Sequence, residues 1–296
     1  MSKIRRPDLE VIPVSFPGYA ASRLMPFYAR PQVSGSIYFQ RLKADTPAQY
    51  GRDTVSLAAI TSHIIAADST TFLCKELRDR VKMGYDQMLG YSDEEHADLA
   101  LGRSGKRAWF SRLETDVAKL LLDAETPVDV VSDPIIGIDE QTASLQDLAV
   151  GDVVLALSNR NFVALKANET LKDRMKNTGI MPGAGGDARY ITAQQMAAAL
   201  GVKEVIICSD REWYAAQDVA DRGNAVLMML PTQETDPNEE IQYGRTVYFE
   251  WETAADYFVM ESYHDDAADA NVVDAKGLID LKILNPELAK TLKVLA

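Results

Sequence analysis

The sequence predicts an α+β protein, in which helices and mostly separate strands share one core. Three observations carry that prediction. Residues 1–82 are dominated by extended, β-rich stretches. A long amphipathic run occupies 106–125, and from 150 onward strand and helix patterns alternate before strands return at 245–296. The plainest part is 153–208, which reads strand, helix, loop, helix, strand, with no reactive side chains grouped at any junction.

Residues 1–35 carry prolines at 7, 13, 17, 26 and 31, a spacing that leaves no room for a helical period. The same segment holds Val11, Ile12, Val14, Phe16, Tyr19, Leu24, Met25, Phe27 and Tyr28. An extended arm so apolar must lie on its own body or on another subunit. Removing residues 1–30 is therefore expected to leave a soluble body that assembles poorly.

Residues 36–82 read as a long hairpin, with Ser36–Leu42 and Thr70–Leu77 as flanks and a polar middle between Ala44 and Asp53. Two strands alone are marginal in water, so the hairpin needs a partner surface. Ser92 with Glu95 forms a candidate capping box, and Gly102 and Gly105 are expected to interrupt the helix that follows. From Lys106 to Glu125 apolar residues recur at steps of three and four, the mark of one buried helix face, until Thr126-Pro127 stops it.

Within 150–244, Val153–Leu157, Lys203–Cys208 and Ala225–Leu230 read as short buried strands. Thr192 and Gln195 form a second capping box, opening a helix that Gly201 closes. Thr246–Trp251, Tyr257–Tyr263 and Gly277–Leu284 read as strands, and Asn285-Pro286 as the N-cap and first residue of a short terminal element.

The 296 residues suffice for one large core or two smaller ones, and 47% hydrophobic with 25% charged content is ordinary for a globular protein. A net charge of −13 argues against binding nucleic acid over the whole surface. The charge is uneven: residues 1–60 hold eight Lys/Arg against four Asp/Glu, and 231–274 hold twelve Asp/Glu against Arg245 alone. Either these are two solvated surfaces, or a basic arm meets an acidic region within or between subunits.

Chemistry is sparse. Cys74 and Cys208 sit among apolar neighbours and read as small buried hydrophobes rather than a disulfide framework. His63, His96 and His264 fall in unrelated segments, and His264-Asp265-Asp266 is a poor chelate because adjacent strand residues face opposite ways. There is no Gly-x-Ser-x-Gly elbow. Pro182-Gly-Ala-Gly-Gly-Asp187 precedes a helix but lacks the Gly-Lys-Ser/Thr ending of a nucleotide loop, and reads as a flexible loop. Asn168-Glu-Thr170 matches a glycosylation sequon, which has no meaning without secretion. No catalytic, cofactor-binding or metal-binding residues are assigned. Met1–Pro7 shows no apolar signal region, and no run approaches the ~18 apolar residues that span a bilayer, so synthesis in a reducing cytoplasm with no membrane contact is expected.

The order of parts resembles the major capsid protein of tailed bacteriophages, the Hong-Kong-phage-type fold. Thr70–Leu77 is similar to the strand returning from that family's E-loop, Lys106–Glu125 to its spine helix, Val154–Leu165 and Ile191–Cys208 to elements of its A-domain, and Ile283–Leu288 to the stretch ending its P-domain. The resemblance implies an N-arm at 1–35, an E-loop at 36–82, a P-domain with spine helix at 83–149, an A-domain at 150–244, and returning strands, mainly P-domain, at 245–296. It implies a structural, non-enzymatic subunit that builds hexamers and pentamers of an icosahedral shell around double-stranded DNA, assembled in the host cytoplasm and residing in the virion. Implied partners are further copies of itself, a separate scaffolding protein in place of the N-terminal scaffolding domain some members carry, a portal and a decoration protein, with DNA touched only non-specifically. A few members form covalent Lys–Asn cross-links between neighbouring subunits, most do not, and Lys43 in the E-loop-like hairpin is the candidate participant here. Encapsulins, shells that enclose cargo enzymes, share the fold but tend to begin with a helix, which the early prolines oppose. An unrecognised α+β enzyme, which would need converging titratable groups, is the remaining alternative.

Overall fold

The structure, a computed structural model, describes residues 4–10, 21–40, 67–148, 151–177, 191–218, 221–230, 241–251 and 257–295. The chain begins with β1 (Ile4–Arg5), α1 (Pro7–Glu10), a 3-10 turn (Ala21–Leu24), β2 (Phe27–Arg30), β3 (Ser34–Gln40), β4 (Ala67–Leu73) and β5 (Lys75–Gly84). It continues through α2 (Tyr85–Met88), α3 (Glu94–Leu122), β6 (Val128–Asp129), α4 (Pro134–Leu148), β7 (Val153–Ser158), α5 (Asn159–Ala167) and α6 (Glu169–Asn177). The rest comprises α7 (Ala193–Leu200), β8 (Glu204–Cys208), α8 (Asp210–Ala215), β9 (Asn224–Met229), β10 (Gly244–Phe249), β11 (Val259–Asp265), β12 (Ala270–Ile283), a 3-10 turn (Pro286–Leu288) and β13 (Ala289–Lys293).

Two sheets are built on one helix. The six-stranded sheet runs β1-β11-β12-β10-β2, with β5 also paired to β12; all its pairings are antiparallel except β2 with β10. The five-stranded sheet runs β6-β13-β9-β7-β8 and is mixed. Every residue of β7 and β9 is buried, so both faces of these strands are covered, and their sequences are unbroken apolar runs rather than alternations.

α3 is 29 residues, about 43 Å at 1.5 Å per residue. The expected spine of 106–125 is therefore extended at its start and shortened at its end. Asp93, not Ser92, is the N-cap: its Oδ1 accepts the His96 N–H at 2.8 Å. Gly102 and Gly105 do not interrupt the helix. Each costs about 1 kcal/mol of helix propensity, but a Cβ at 102 would stand 2.9 Å from Leu9 Cδ2, and one at 105 would stand 3.1 Å from Val273 Cγ1. The glycines are where the N-terminal segment and the large sheet come closest to the helix. Further along, Trp109 is fully buried, donates Nε1–H to the Leu77 carbonyl at 3.0 Å and stacks on Phe258. Nearer its C-terminus α3 meets the other sheet: Thr291 Oγ1 of β13 donates to the Leu121 carbonyl at 3.4 Å, and Ser111 Oγ donates to Glu212 of α8 at 2.5 Å.

The described parts of the proline-rich start, residues 4–10 and 21–35, lie on their own body. Pro7 opens a one-turn helix, which a proline tolerates because that N–H would have no partner. Leu9, Leu24 and Met25 are fully buried, and β2 lies parallel to β10. Glu10, buried, accepts Arg5 Nε and Nη2 at 3.1 and 3.0 Å and the Met260 N–H at 3.2 Å. Arg6 pairs with Asp8 and Asp98, and Arg23 with Glu204. Arg5, Arg6 and Arg23 of the basic segment are thus met inside one subunit, by carboxylates outside 231–274. In that acidic region, Glu261, Asp265 and Asp274 pair instead with Lys276, Lys82, Arg78 and Arg80.

The hairpin expected at 36–82 is realised as β3 with β4, from Ser34↔Leu73 to Gln40↔Ala67, while residues 75–84 leave it for the large sheet. Its middle lies outside the described residues. It finds the surface it needs within the subunit, where Ile37, Phe72 and Cys74 pack against Val247 of β10 as a small core of their own. The second capping box forms as expected: Thr192 Oγ1 accepts from Gln195 N, Gln195 Oε1 accepts from Thr192 N, and Gly201 ends α7 at φ +68°. Asn285 precedes its 3-10 turn but does not cap it with its side chain, which donates to the Gln242 carbonyl at 2.8 Å instead. α4, α8 and β13 were not anticipated, and β13 brings the end of the chain into the five-stranded sheet.

Candidate functional site

The residues singled out for chemistry stay apart. Lys43, His63 and the glycine segment Pro182–Asp187 lie outside the described residues. His96 is held locally, its Nδ1 2.6 Å from the N-cap carboxylate of Asp93. His264 faces Asn271 Oδ1 at 3.0 Å across the β11–β12 hairpin, while neighbouring Asp265 pairs with Lys82 at 2.7 Å. Asn168 accepts the Leu171 N–H at the start of α6. Both cysteines are free and buried; burial pushes the Cys74 thiol up to about 11 and Cys208 upward as well, which keeps both protonated and unreactive near neutrality. Among the described residues no three His, Cys, Asp or Glu side chains group to hold a metal ion, and no helix is long and apolar enough to cross a membrane.

What the fold does present is surface. The six-stranded sheet has one face against α3, lined by Leu77, Val273, Ala275 and Met260. Alternation puts Arg78, Arg80 and Lys82 of β5, Asp274 and Lys276 of β12, and Glu261, Tyr263 and Asp265 of β11 on the other. Asp274 is fully buried there, accepting Arg80 Nε at 2.7 Å and a close contact from Arg78, and Arg80 also lies over the Tyr263 ring. Lys276 and Glu261 are 2.5 Å apart. A carboxylate so enclosed depends on both guanidinium groups, since removing its partners would strand a buried charge. This face is charged and cross-linked by ion pairs between strands.

Among the described residues, exposed apolar side chains include single ones such as Ile4, Ile136 and Val163 and two groups close together in the chain or across a strand pair. Tyr85 and Leu89, 58% and 66% exposed, and the partly exposed Tyr91 crowd the short link between β5 and α3. Tyr38 and Leu73 stand on the outer side of the β3–β4 hairpin, whose inner residues fill its small core. Large apolar side chains left in water on protruding parts suit contacts with other molecules. The particular residues were not legible, because an exposed Tyr and a buried one look alike until the strand's neighbours are known.

No protein-family model matches the chain, and no curated protein matches it. Solved structures do. A phage-related protein from Bordetella bronchiseptica superposes with a TM-score of 0.68 at 16% identity, covering 99% of this chain and 98% of that one. The capsid of the cyanophage P-SCSP1u superposes at 0.58 with 12% identity over 96% and 90% of the two chains. The holo-SrpI encapsulin complex from Synechococcus elongatus superposes at 0.52 with 10% identity over 92% and 85%. The chain has the Hong-Kong-phage-type capsid fold along essentially its whole length.

Proposed function

We propose that this chain is the repeating structural subunit of a closed protein shell, the major capsid protein of a tailed-phage-type head that encloses double-stranded DNA. The observation that carries the reading is full-length superposition on subunits of phage capsids and of an encapsulin, combined with a surface that offers interfaces rather than converging reactive groups. In this reading α3 is the spine helix, β3–β4 the base of the E-loop, the six-stranded sheet the P-domain, and the five-stranded sheet with its helices the A-domain. Fold alone does not dictate function, so assembly of the purified chain is what tests the assignment.

Hexamers and pentamers of one chain require the same patches to meet at slightly different angles. A two-stranded hairpin resting on its own small core, and a charged sheet face pinned by cross-strand ion pairs, supply two surfaces for such contacts. Scaffolding, portal and decoration proteins belong to the same reading. The encapsulin alternative shares the fold; against it stand the early prolines and the described residues 4–10, which form a short strand and a single helical turn. Particles isolated from the native source separate the two. The capsid reading predicts nuclease-protected double-stranded DNA inside; an enzyme cargo without DNA would replace it with the compartment reading.

A further inference from the structure

A cleft of about 520 Å³ opens where the end of α3 meets the end of α8 and the turn before β9. Leu122, Pro127, Ala215 and Ala216 form its apolar wall, and the polar side chains that line it are acceptors with one exception. Asp123, Asp218 and Asp221 contribute carboxylates that make no side-chain hydrogen bond or ion pair among the described residues, and Glu125, bound to Lys290 at 3.1 Å, adds a fourth. The negative end of a 29-residue helix points the same way. The single cation in the lining is Lys119.

The second observation is independent of charge. Asn224 lines the cleft, is 3% exposed, and its Oδ1 has no hydrogen-bond partner. Gln217, also lining it, gives its amide N–H to the Trp213 carbonyl at 3.1 Å, leaving its buried Oε1 without a donor. Two buried amide oxygens without donors are costly to keep. They are missing N–H groups, and the carboxylates around them are missing positive charge. A group that brings both is a guanidinium, with five N–H donors in one planar cation. A metal ion fits less well, since the described residues offer no cluster of three ligands.

We propose that this cleft is the socket for an arginine side chain of a second copy of the chain. The inference rests on the shell reading, in which identical subunits meet head to tail, so that an acceptor patch on one requires a donor on the next. Donors of the right kind are present: Arg103 on α3 and Arg160 on α5 are exposed, and neither side chain forms an ion pair among the described residues. Charge complementarity of this kind fixes the docking register.

The test uses the full chain and sedimentation velocity over a concentration series at low and high salt. The Asp218→Asn/Asp221→Asn variant should melt like the wild type but need about tenfold more protein to assemble, in line with the coupling of close charge pairs at interfaces, and should lose most of the salt sensitivity of assembly. Arg103→Glu or Arg160→Glu should show the same defect, and mixing the responsible one with Asp218→Arg should restore assembly. A wild type that assembles alongside an Asp variant with unchanged threshold and salt response overturns the socket while leaving the shell reading intact, as does failure of both charge-swap mixtures. A wild type that never assembles removes both.

Discussion

Leu9 and Gly102 offer a direct measure of how firmly the N-terminal segment is held to its own subunit. Leu9 is fully buried, and three of its side-chain carbons lie 2.9, 3.2 and 3.3 Å from where a Cβ on Gly102 would stand. Leu9→Ala should cost about 2–5 kcal/mol, because the lost methyl groups face a helix backbone that cannot collapse into the space. Gly102→Ala alone sets about 1 kcal/mol of helix propensity against a clash that Leu9 must move to relieve, and should be neutral or destabilising. With Leu9→Ala in place the clash is gone, the propensity gain remains, and the new methyl fills part of the cavity for about 0.8 kcal/mol. The cycle should therefore show favourable coupling of about 1–3 kcal/mol. Urea unfolding of the unassembled subunit, followed by circular dichroism and tryptophan fluorescence, measures it. A loss under about 1 kcal/mol for Leu9→Ala with no coupling would mean that residues 4–10 are not docked in this way. The same packing revises the expectation for a chain lacking residues 1–30: it would lose Leu9, Leu24, Met25 and the β2 edge from its own core. It should be destabilised as a monomer, not merely slow to assemble.

Two further outcomes follow from the core. Gly277→Ala would place a Cβ 2.8 Å from Trp109 Cζ2 and 2.9 Å from the Tyr257 carbonyl, which should lower stability by about 1–3 kcal/mol and shift Trp109 fluorescence; an unchanged melting temperature would contradict the close approach. At Glu212, burial pushes the carboxyl up, but hydroxyl donors from Ser111 and Ser209 outweigh it and hold the group below its ordinary value. A depressed carboxylate stabilises fully above its unfolded value of about 4.3 and loses that contribution as pH falls through the folded value. Glu212→Gln should thus flatten the acid limb of melting temperature against pH, and an acid limb identical to the wild type would show that these hydrogen bonds do not persist in solution.

Local signals in the sequence were read well where they are self-contained. The Thr192–Gln195 box, the αL Gly201 and the buried strands near 153, 204 and 225 need only neighbouring residues to be recognised. Misreadings came where a distant partner decides. Gly102 and Gly105 look like helix breakers until Leu9 and Val273 are seen against them. Residues 75–84 look like the return of a hairpin until β12, nearly 200 positions later, is available to pair. α4 carries a local signal of its own, Asp133 before Pro134 and then Ile135, Ile138, Thr142 and Leu145 buried along one face. The cleft between α3 and α8 was not legible at all, because Asp123, Asp218 and Asn224 come together only in the folded chain.

Cryo-electron microscopy of the purified full-length protein under assembly conditions tests the central claim most directly. The account predicts closed particles whose reconstruction is icosahedral, with rings of five and six copies of this fold. A uniform population of monomers across the whole concentration range, with no rings and no shells, would contradict it.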